Sequence, residues 1–359
     1  MSKLFSLNYV EFYITNSCNF NCVGCNRFNN FKITGAQKWD DYADAYRRWS
    51  EILDIKEWAV LGGEPMTNPD FLTWLKHISS LWPDSRGLFV TNGYYIDPNN
   101  RELYDIIQST NGRVQLLIGL HNINRRDEMI TTVKNWLRGD ITVKEKTIND
   151  LDFLPGFKEN WKKSYNAIRD PSWPDCDSVL DWSNLPEFIQ TEMAQIHHLD
   201  PQQLINTRLD EKFTDSNGVT VHVRLENYFH QGALILNGTE SFSLHNSDPV
   251  KAHNNCPSKT CHHFDKGQLY KCSQVALFSE IDQQFILNVS DSDRELVHSY
   301  RPATIEQSLT ELENFMSNIE KPLPQCKFCP EQYQIKEIFA KHGEKIKMVK
   351  KSSKLKINQ

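Results

Sequence analysis

Eight of the nine cysteines stand at spacings that suit metal binding. Cys18-Asn19-Phe20-Asn21-Cys22-Val23-Gly24-Cys25 packs three thiols into eight residues, directly after a strand-like run. Thiolates this close together suit a soft metal, either zinc or an iron-sulfur cluster. The ligand count separates the two. A structural zinc site is closed by four ligands, usually as two pairs, whereas this CxxxCxxC stretch offers three and is followed by no nearby histidine. Three is the count for a 4Fe-4S cubane with one iron open to a small molecule. The second concentration is Cys256, Cys261 and Cys272, a Cys...GxxxxC hairpin through Gly267, with the CxxC pair Cys326 and Cys329 further on. Cys176, between Asp175 and Asp177, stands alone. It is a candidate hydrogen donor or proton-transfer group, set against the commoner role of a structural thiol.

The elements that must position these groups read as alternating strands and helices. Tyr9 to Ile14 is a buried first strand that delivers Cys18 at its C-terminal end, where parallel barrels keep their active sites. A helical pattern follows from Trp39 to Ile55, then the short apolar run Trp58 to Leu61, ending in Gly62-Gly63-Glu64-Pro65. Two glycines there allow close backbone approach or a positive φ, and the proline stiffens the exit. Asn68 and Pro69 read as cap and first turn of a second helix. Leu88 to Val90 is a third strand ending in Thr91-Asn92-Gly93, Val114 to Leu120 a fourth, and Met129 to Leu137 a fourth helix. This βαβ rhythm predicts a parallel sheet with right-handed crossovers.

From about 139 to 215 the rhythm breaks. The segment reads as a fifth strand, Ile141 to Ile148, and then a long insertion, either a cap over the substrate pocket or a structural elaboration around its tryptophans. Val219 to Leu225 is the expected sixth strand, with Arg224 and Glu226 at its end. Thr304 with Gln307 reads as a capping box for a helix with Ile305, Leu309, Leu312, Phe315, Met316 and Ile319 on one face.

CxxxCxxC after the first strand, with Gly-Gly-Glu-Pro after the second, resembles the radical S-adenosylmethionine (SAM) superfamily. The resemblance implies a partial (β/α)6 TIM-like barrel. It also implies a SAM-binding 4Fe-4S cluster on Cys18, Cys22 and Cys25, whose open iron chelates the amino and carboxylate groups of SAM. An electron from that cluster cleaves the sulfonium to methionine and a 5'-deoxyadenosyl radical, which takes a hydrogen atom from the substrate. Expected around SAM are Gly62, Gly63, Glu64, Pro65, Thr91, Asn92 and Arg224. The family's commonest motif carries an aromatic residue before the third cysteine, to pack on the adenine; here that position is Gly24. The second cysteine set resembles the SPASM/Twitch auxiliary-cluster domain. Five cysteines hold one further 4Fe-4S cluster but not two, and Cys256 and Cys261 compete for a place among its ligands. The rival is a zinc ribbon on the hairpin and the Cys326/Cys329 pair, with His262 or His263 as substitutes.

The expected layout is a barrel over 1–250 including the insertion, an auxiliary-cluster domain over 251–335 and a basic tail over 336–359. The tail holds seven lysines and one glutamate between Lys341 and Lys356 and reads as a solvated terminus. With 359 residues, 39% hydrophobic and 24% charged, the chain is long enough for one large core and a satellite. A net charge of -6 gives no broad attraction for nucleic acid or an anionic membrane. No signal or spanning segment is present in the sequence, and the odd thiol count suits a reducing compartment, so a cytoplasmic protein is expected. The expected function is an oxidoreductase or maturase acting on a peptide or small metabolite. Reduced flavodoxin or ferredoxin is the electron donor that the resemblance implies. A nucleotide- or RNA-acting enzyme and a zinc-stabilised scaffold are the alternatives.

Overall fold

The computed structural model describes residues 3–22, 25–31, 33–121, 125–146, 210–225, 228–230, 232–237, 241–256, 258–331 and 335–337. Cys176, Glu226, the centre of the insertion and the basic tail lie outside them.

The first half alternates as its apolar runs require. β1 (Phe5–Tyr13), β2 (Leu53–Leu61), β3 (Arg86–Thr91) and β4 (Val114–Leu120) are joined by α1 (Ala43–Ile52), α2 (Phe71–Leu81) and α3 (Glu102–Ser109), and α4 (Arg126–Trp136) follows β4. β4 and the C-terminal halves of β1 and β2 are near-continuously buried, as strands covered on both faces are, whereas β3 alternates buried residues with more open ones. Trp39, Tyr46, Trp49, Trp58, Trp74 and Trp82 fill the space between sheet and helices, and Phe12 of β1 stacks at 5.2 Å on Phe264.

β5 (Ile141–Lys146), β6 (Asp210–Asp215) and β7 (Thr220–Leu225) complete one side of the sheet. β7 pairs parallel with β4, Leu120 opposite Leu225, so the strand expected sixth is the immediate neighbour of the fourth. β5, expected as the fifth parallel strand, is an edge strand paired antiparallel with β6, which is antiparallel to β7. The physical reason is visible in its residues: Ile141-Thr142-Val143-Lys144-Glu145-Lys146 alternates apolar with polar and ends in charges. That pattern suits a strand with one wet face and an edge protected by lysines.

Short strands β8 (Tyr228–His230), β9 (Leu234–Asn237) and β10 (Ser241–Leu244) follow, then α5 (Pro249–Asn254) and a hairpin, β11 (His262–Asp265) and β12 (Gln268–Tyr270). Lys266 and Gly267 turn it with φ of 51° and 74°, the paired left-handed conformations of a two-residue hairpin. β11 lies parallel to β1, Val10 opposite His262. The sheet order is therefore β12-β11-β1-β2-β3-β4-β7-β6-β5, and the cysteine hairpin is a direct extension of it. Trp49 Nε1 donates to Gly267 O at 3.0 Å and Gly267 N to Tyr46 Oη at 3.1 Å, locking the turn onto α1.

α6 (Ser273–Gln284), α7 (Asp291–Ser299) and α8 (Leu309–Asn318) close the described chain, with β13 (Ile335–Glu337) against β8. Two expected caps differ. Asn68 does not cap α2, which begins after Asp70; its amide instead donates to Ile14 O and Gln37 O, both at 2.9 Å. α8 starts at Leu309 from a capping box of Ser308, four residues after Thr304, with Glu311. Gln307 Oε1 does accept from Thr304 N at 3.0 Å, but in the turn before the helix. Leu309 is consequently exposed while Leu312 and Ile319 are buried.

Candidate metal centres

Parallel pairing brings the C-terminal ends of β1 to β4 and β7 to one edge, and the cysteine loop lies along it. The chain leaves β1 and crosses the glycine turn after β2. Gly63 N donates to Thr15 O at 2.8 Å, Glu64 N to Ser17 O at 2.7 Å, and Thr67 Oγ1 to Ser17 O at 3.2 Å. A Cβ on Gly62 would stand 2.6 Å from Thr15 O, and one on Gly63 2.2 Å from Ser17 O. The two glycines are thus required by backbone against backbone, one residue short of Cys18.

Glu64 is fully buried and gathers the next strand end. Its Oε1 accepts from Thr91 Oγ1 at 2.7 Å and Met66 N at 3.1 Å, and its Oε2 from Asn92 N at 2.7 Å. Burial pushes its carboxyl up to about 7, against these three donors. Asn92 Nδ2 then donates to Asn19 Oδ1 at 2.8 Å, inside the cysteine loop. The structure therefore brings Gly62, Gly63 and Glu64 against Thr15 and Ser17, at the entry to the cysteine loop, and Asn92 against Asn19 within it, with Thr91 held by Glu64. Arg224 stands at the far end of β7, opposite Gly119 and Asp210.

Cys22 is buried, and its thiol is pushed up by burial first and by Cys25 and Cys18 next. The three thiols are close enough to oppose one another's ionisation, an arrangement that a bound metal relieves by deprotonating them outright. Phe20 N donates to Cys18 Sγ at 3.3 Å, and Cys25 Sγ lies 3.6 Å from Asn29 Oδ1. The loop reverses at Phe28, whose φ of 60° is unusual for an aromatic residue.

The second set resolves into four cysteines and one. Cys256, Cys272, Cys326 and Cys329 line a cavity of about 80 Å³ with His253, Lys271, Gln274 and Asn26. Burial is the main cause of the raised pKa of Cys329, followed by Cys272, Cys256 and Cys326, so these four sense one another. Three separate segments supply them. Asp248 Oδ1 caps α5 ahead of Cys256, accepting from Val250 N and Lys251 N at 2.9 Å. Cys272 is the N-cap of α6, and Cys326 lies in a 3-10 turn, Pro324–Phe328, with Cys329 just after it. Ser247 N to Lys327 O at 2.8 Å and Asn255 Nδ2 to Glu331 O at 2.6 Å tie the first segment to the last.

Cys261 does not line that cavity. Burial raises its pKa first, then Glu11, with Arg27 opposing and Cys272 adding to the rise. Arg27 Nη2 donates to Glu11 Oε2 at 2.5 Å and Arg27 Nη1 lies 3.2 Å from His263 Nδ1. His262 Nδ1 lies 3.0 Å from Lys271 O. Neither His262 nor His263 lines the four-cysteine cavity; the histidine that does is His253. Among the described residues no group of three or more His, Cys, Asp or Glu side chains is drawn together as it would be around a bound metal ion.

Residues 12–168 match the family model described as the radical SAM superfamily. The chain carries a radical SAM domain. The match takes in the cysteine loop, the glycine turn and Thr91-Asn92, and stops before the second cysteine set. A radical SAM domain implies a 4Fe-4S cluster and SAM; three mutually close thiols on one loop fit the cluster. Among solved structures, Streptococcus suis SuiB bound to S-adenosylmethionine is 19% identical over 37% of this chain and 32% of that chain, with a TM-score of 0.31. SuiB bound to precursor peptide SuiA gives 18%, 37%, 30% and 0.31. BtrN in complex with AdoMet and 2-DOIA gives 20%, 34%, 48% and 0.26. This chain thus spans about a third of SuiB and about half of BtrN. No curated protein matches it. Among the described residues no helix is long and apolar enough to cross a membrane.

The sequence reading missed the groups behind the radical SAM loop: Asn19, Asn29, and the Glu11, Arg27 and His263 cluster. Glu11 carried a usable signal. A carboxylate inside the otherwise apolar strand Tyr9-Val10-Glu11-Phe12-Tyr13-Ile14 must be paired when buried, and a basic partner was the thing to seek. His121, whose ring meets Phe20 at 6.1 Å, had only its place after β4.

Proposed function

We propose that this protein is a radical SAM oxidoreductase or maturase acting on a peptide or small metabolite. Cys18, Cys22 and Cys25 hold the SAM-binding 4Fe-4S cluster, which supplies the electron that cleaves SAM. The observation that carries this reading is the docking of two motifs on the cysteine stretch and its approach: Gly63 and Glu64 onto Thr15 and Ser17, and Asn92 onto Asn19. Gly62, Gly63 and Pro65 shape the turn that receives SAM, and Glu64 holds Thr91 and Asn92 in line with it. Arg224 is assigned to the SAM carboxylate or ribose. Reduced flavodoxin or ferredoxin supplies the electron.

A second 4Fe-4S cluster belongs on Cys256, Cys272, Cys326 and Cys329, with Cys261 outside it. Four thiols from three segments around one cavity of about 80 Å³ support this reading. A cubane takes one thiolate per iron, so its cysteines stand around it. With four cysteines this cluster is fully ligated and suited to accepting an electron from substrate. The division at about 250 marks where the cluster-binding segments start, although their hairpin continues the barrel's sheet. The stretch of the 139–215 insertion between β5 and β6 is assigned to a substrate cap, the part of 336–359 beyond β13 to a solvated basic tail and the whole to the cytoplasm.

Anaerobic reconstitution, reduction with SAM and detection of 5'-deoxyadenosine test the reading. Cys22→Ala abolishes cleavage, whereas Cys272→Ala spares cleavage and impairs substrate turnover. A Cys272→Ala protein with normal turnover removes the role of the second site. Bound zinc with no 5'-deoxyadenosine overturns the enzymatic reading in favour of a scaffold.

A further inference from the structure

The two thiol sites share a wall, and one side chain spans it. Asn26, the residue after Cys25, lines the cavity of Cys256, Cys272, Cys326 and Cys329. Its carbonyl accepts a hydrogen bond of 2.7 Å from Nε2 of Gln274, two residues after Cys272 in the first turn of α6. The other end of the same amide is also held, since Gln274 Oε1 accepts from Ala233 N at 2.9 Å. A Cβ on the adjacent Gly232 would stand 3.0 Å from that oxygen, so the main chain at 232–233 seats the amide closely. From Cys25 to Cys272 the route is one peptide link, one hydrogen bond, the Gln274 side chain and two residues of backbone.

Both functions of the amide are in use, one as donor and one as acceptor, and its orientation is therefore fixed by its partners rather than by packing alone. Glutamine loses much rotamer freedom when ordered, and a hydrophobic residue would fill the same space at less cost. Outer partners of metal-ligand segments set the orientation and potential of the groups they hold.

We propose that Gln274 is a positioning residue that couples the two cysteine sites, fixing their separation and linking them electronically through the Asn26 carbonyl. The inference rests on the two-cluster reading above and adds a residue and a property to it. It requires that the sites behave as an interacting pair, so that reduction of one is sensed at the other.

The test uses the full chain reconstituted anaerobically, wild type beside Gln274→Glu and Gln274→Leu, with iron counted in each and electron paramagnetic resonance recorded on the reduced protein. Gln274→Glu keeps an acceptor for Ala233 N but has no donor for Asn26; Gln274→Leu has neither. The expected result is unchanged iron in both variants, with magnetic interaction between the two reduced clusters in the wild type. In both variants that interaction weakens severalfold in microwave power saturation, and Gln274→Asn recovers none of it because the shorter side chain cannot span the gap. Unchanged iron with wild-type saturation in both variants overturns the proposal. So does loss of second-site iron in both, which would make Gln274 a scaffold residue only. A wild-type protein lacking the second cluster's iron fails the two-cluster reading itself, and that outcome is distinguished by the iron count before any variant is compared.

Discussion

The two thiol sites are built by opposite strategies. The three-thiol loop hangs from a sheet edge, and its supports are backbone contacts to the turn after β2 and a side-chain contact from Asn92 after β3, all within the first ninety-three residues. The four-thiol site gathers residues 256, 272, 326 and 329 from a short helix, a helix N-terminus and a 3-10 turn. Its walls are held to one another by single hydrogen bonds such as Asn255 to Glu331. A site on consecutive strand ends inherits rigidity from the sheet, whereas one assembled across seventy-three residues of chain depends on what it binds. Metal binding then doubles as folding energy for the second site far more than for the first. Removing iron with a chelator is expected to open 241–331 to proteolysis first and to leave β1 to β4 protected.

The largest stability effect belongs to the wall between the sites. Glu11→Gln leaves Arg27 buried without its carboxylate, and loss of one partner from a buried pair costs roughly 3–5 kcal/mol; urea midpoints of the reconstituted protein measure it. Two carboxylates separate the regions by pH. Arg27 and His263 outweigh burial and hold Glu11 down to about 2 from 4.5, so its contribution is present above pH 4.5 and lost as pH falls through about 2. Glu64, raised to about 7 from 4.5 by burial, works in the other sense. Its contribution is complete below pH 4.5 and falls as pH rises through about 7. Glu11→Gln therefore flattens the acid limb of stability and Glu64→Gln the limb between about 4.5 and 7. A Glu64→Gln protein that kept the upper limb would contradict this account.

A smaller effect sharpens the first site alone. Gly63→Ala drives a methyl against Ser17 O, an overpacking of about 1–3 kcal/mol. It is expected to displace the cysteine loop, lowering SAM cleavage while leaving the visible absorption of the second cluster intact. Asn92→Ala, which removes the contact to Asn19, costs about 0.5–1.5 kcal/mol and weakens SAM binding more than iron binding.

The same contrast governs what could be read in the amino acids. Cys18, Cys22 and Cys25, Gly62 to Pro65 and Thr91-Asn92 are local patterns tied to strand ends, and apolar periodicity placed those ends correctly. The four-thiol set was legible as cysteines but not as a ligand set, because choosing between Cys256 and Cys261 requires knowing that β11 pairs with β1. That pairing carries Cys261 toward Glu11 and leaves Cys256 facing Cys329. Strand order has no local signature when the partner lies some 250 residues away, whereas the edge place of β5 was written in its own alternation of apolar and polar residues. Gln274 gave no signal, since its meaning lies wholly in reaching Asn26.

The most direct measurement is iron and sulfide content of the anaerobically reconstituted chain, taken together with three variants. The account predicts about eight irons in the wild type, about four in Cys22→Ala and in Cys329→Ala, and the full eight in Cys261→Ser. Loss of iron in Cys261→Ser with retention in Cys256→Ala would contradict the assignment, and one zinc in place of the second four irons would contradict the account as a whole.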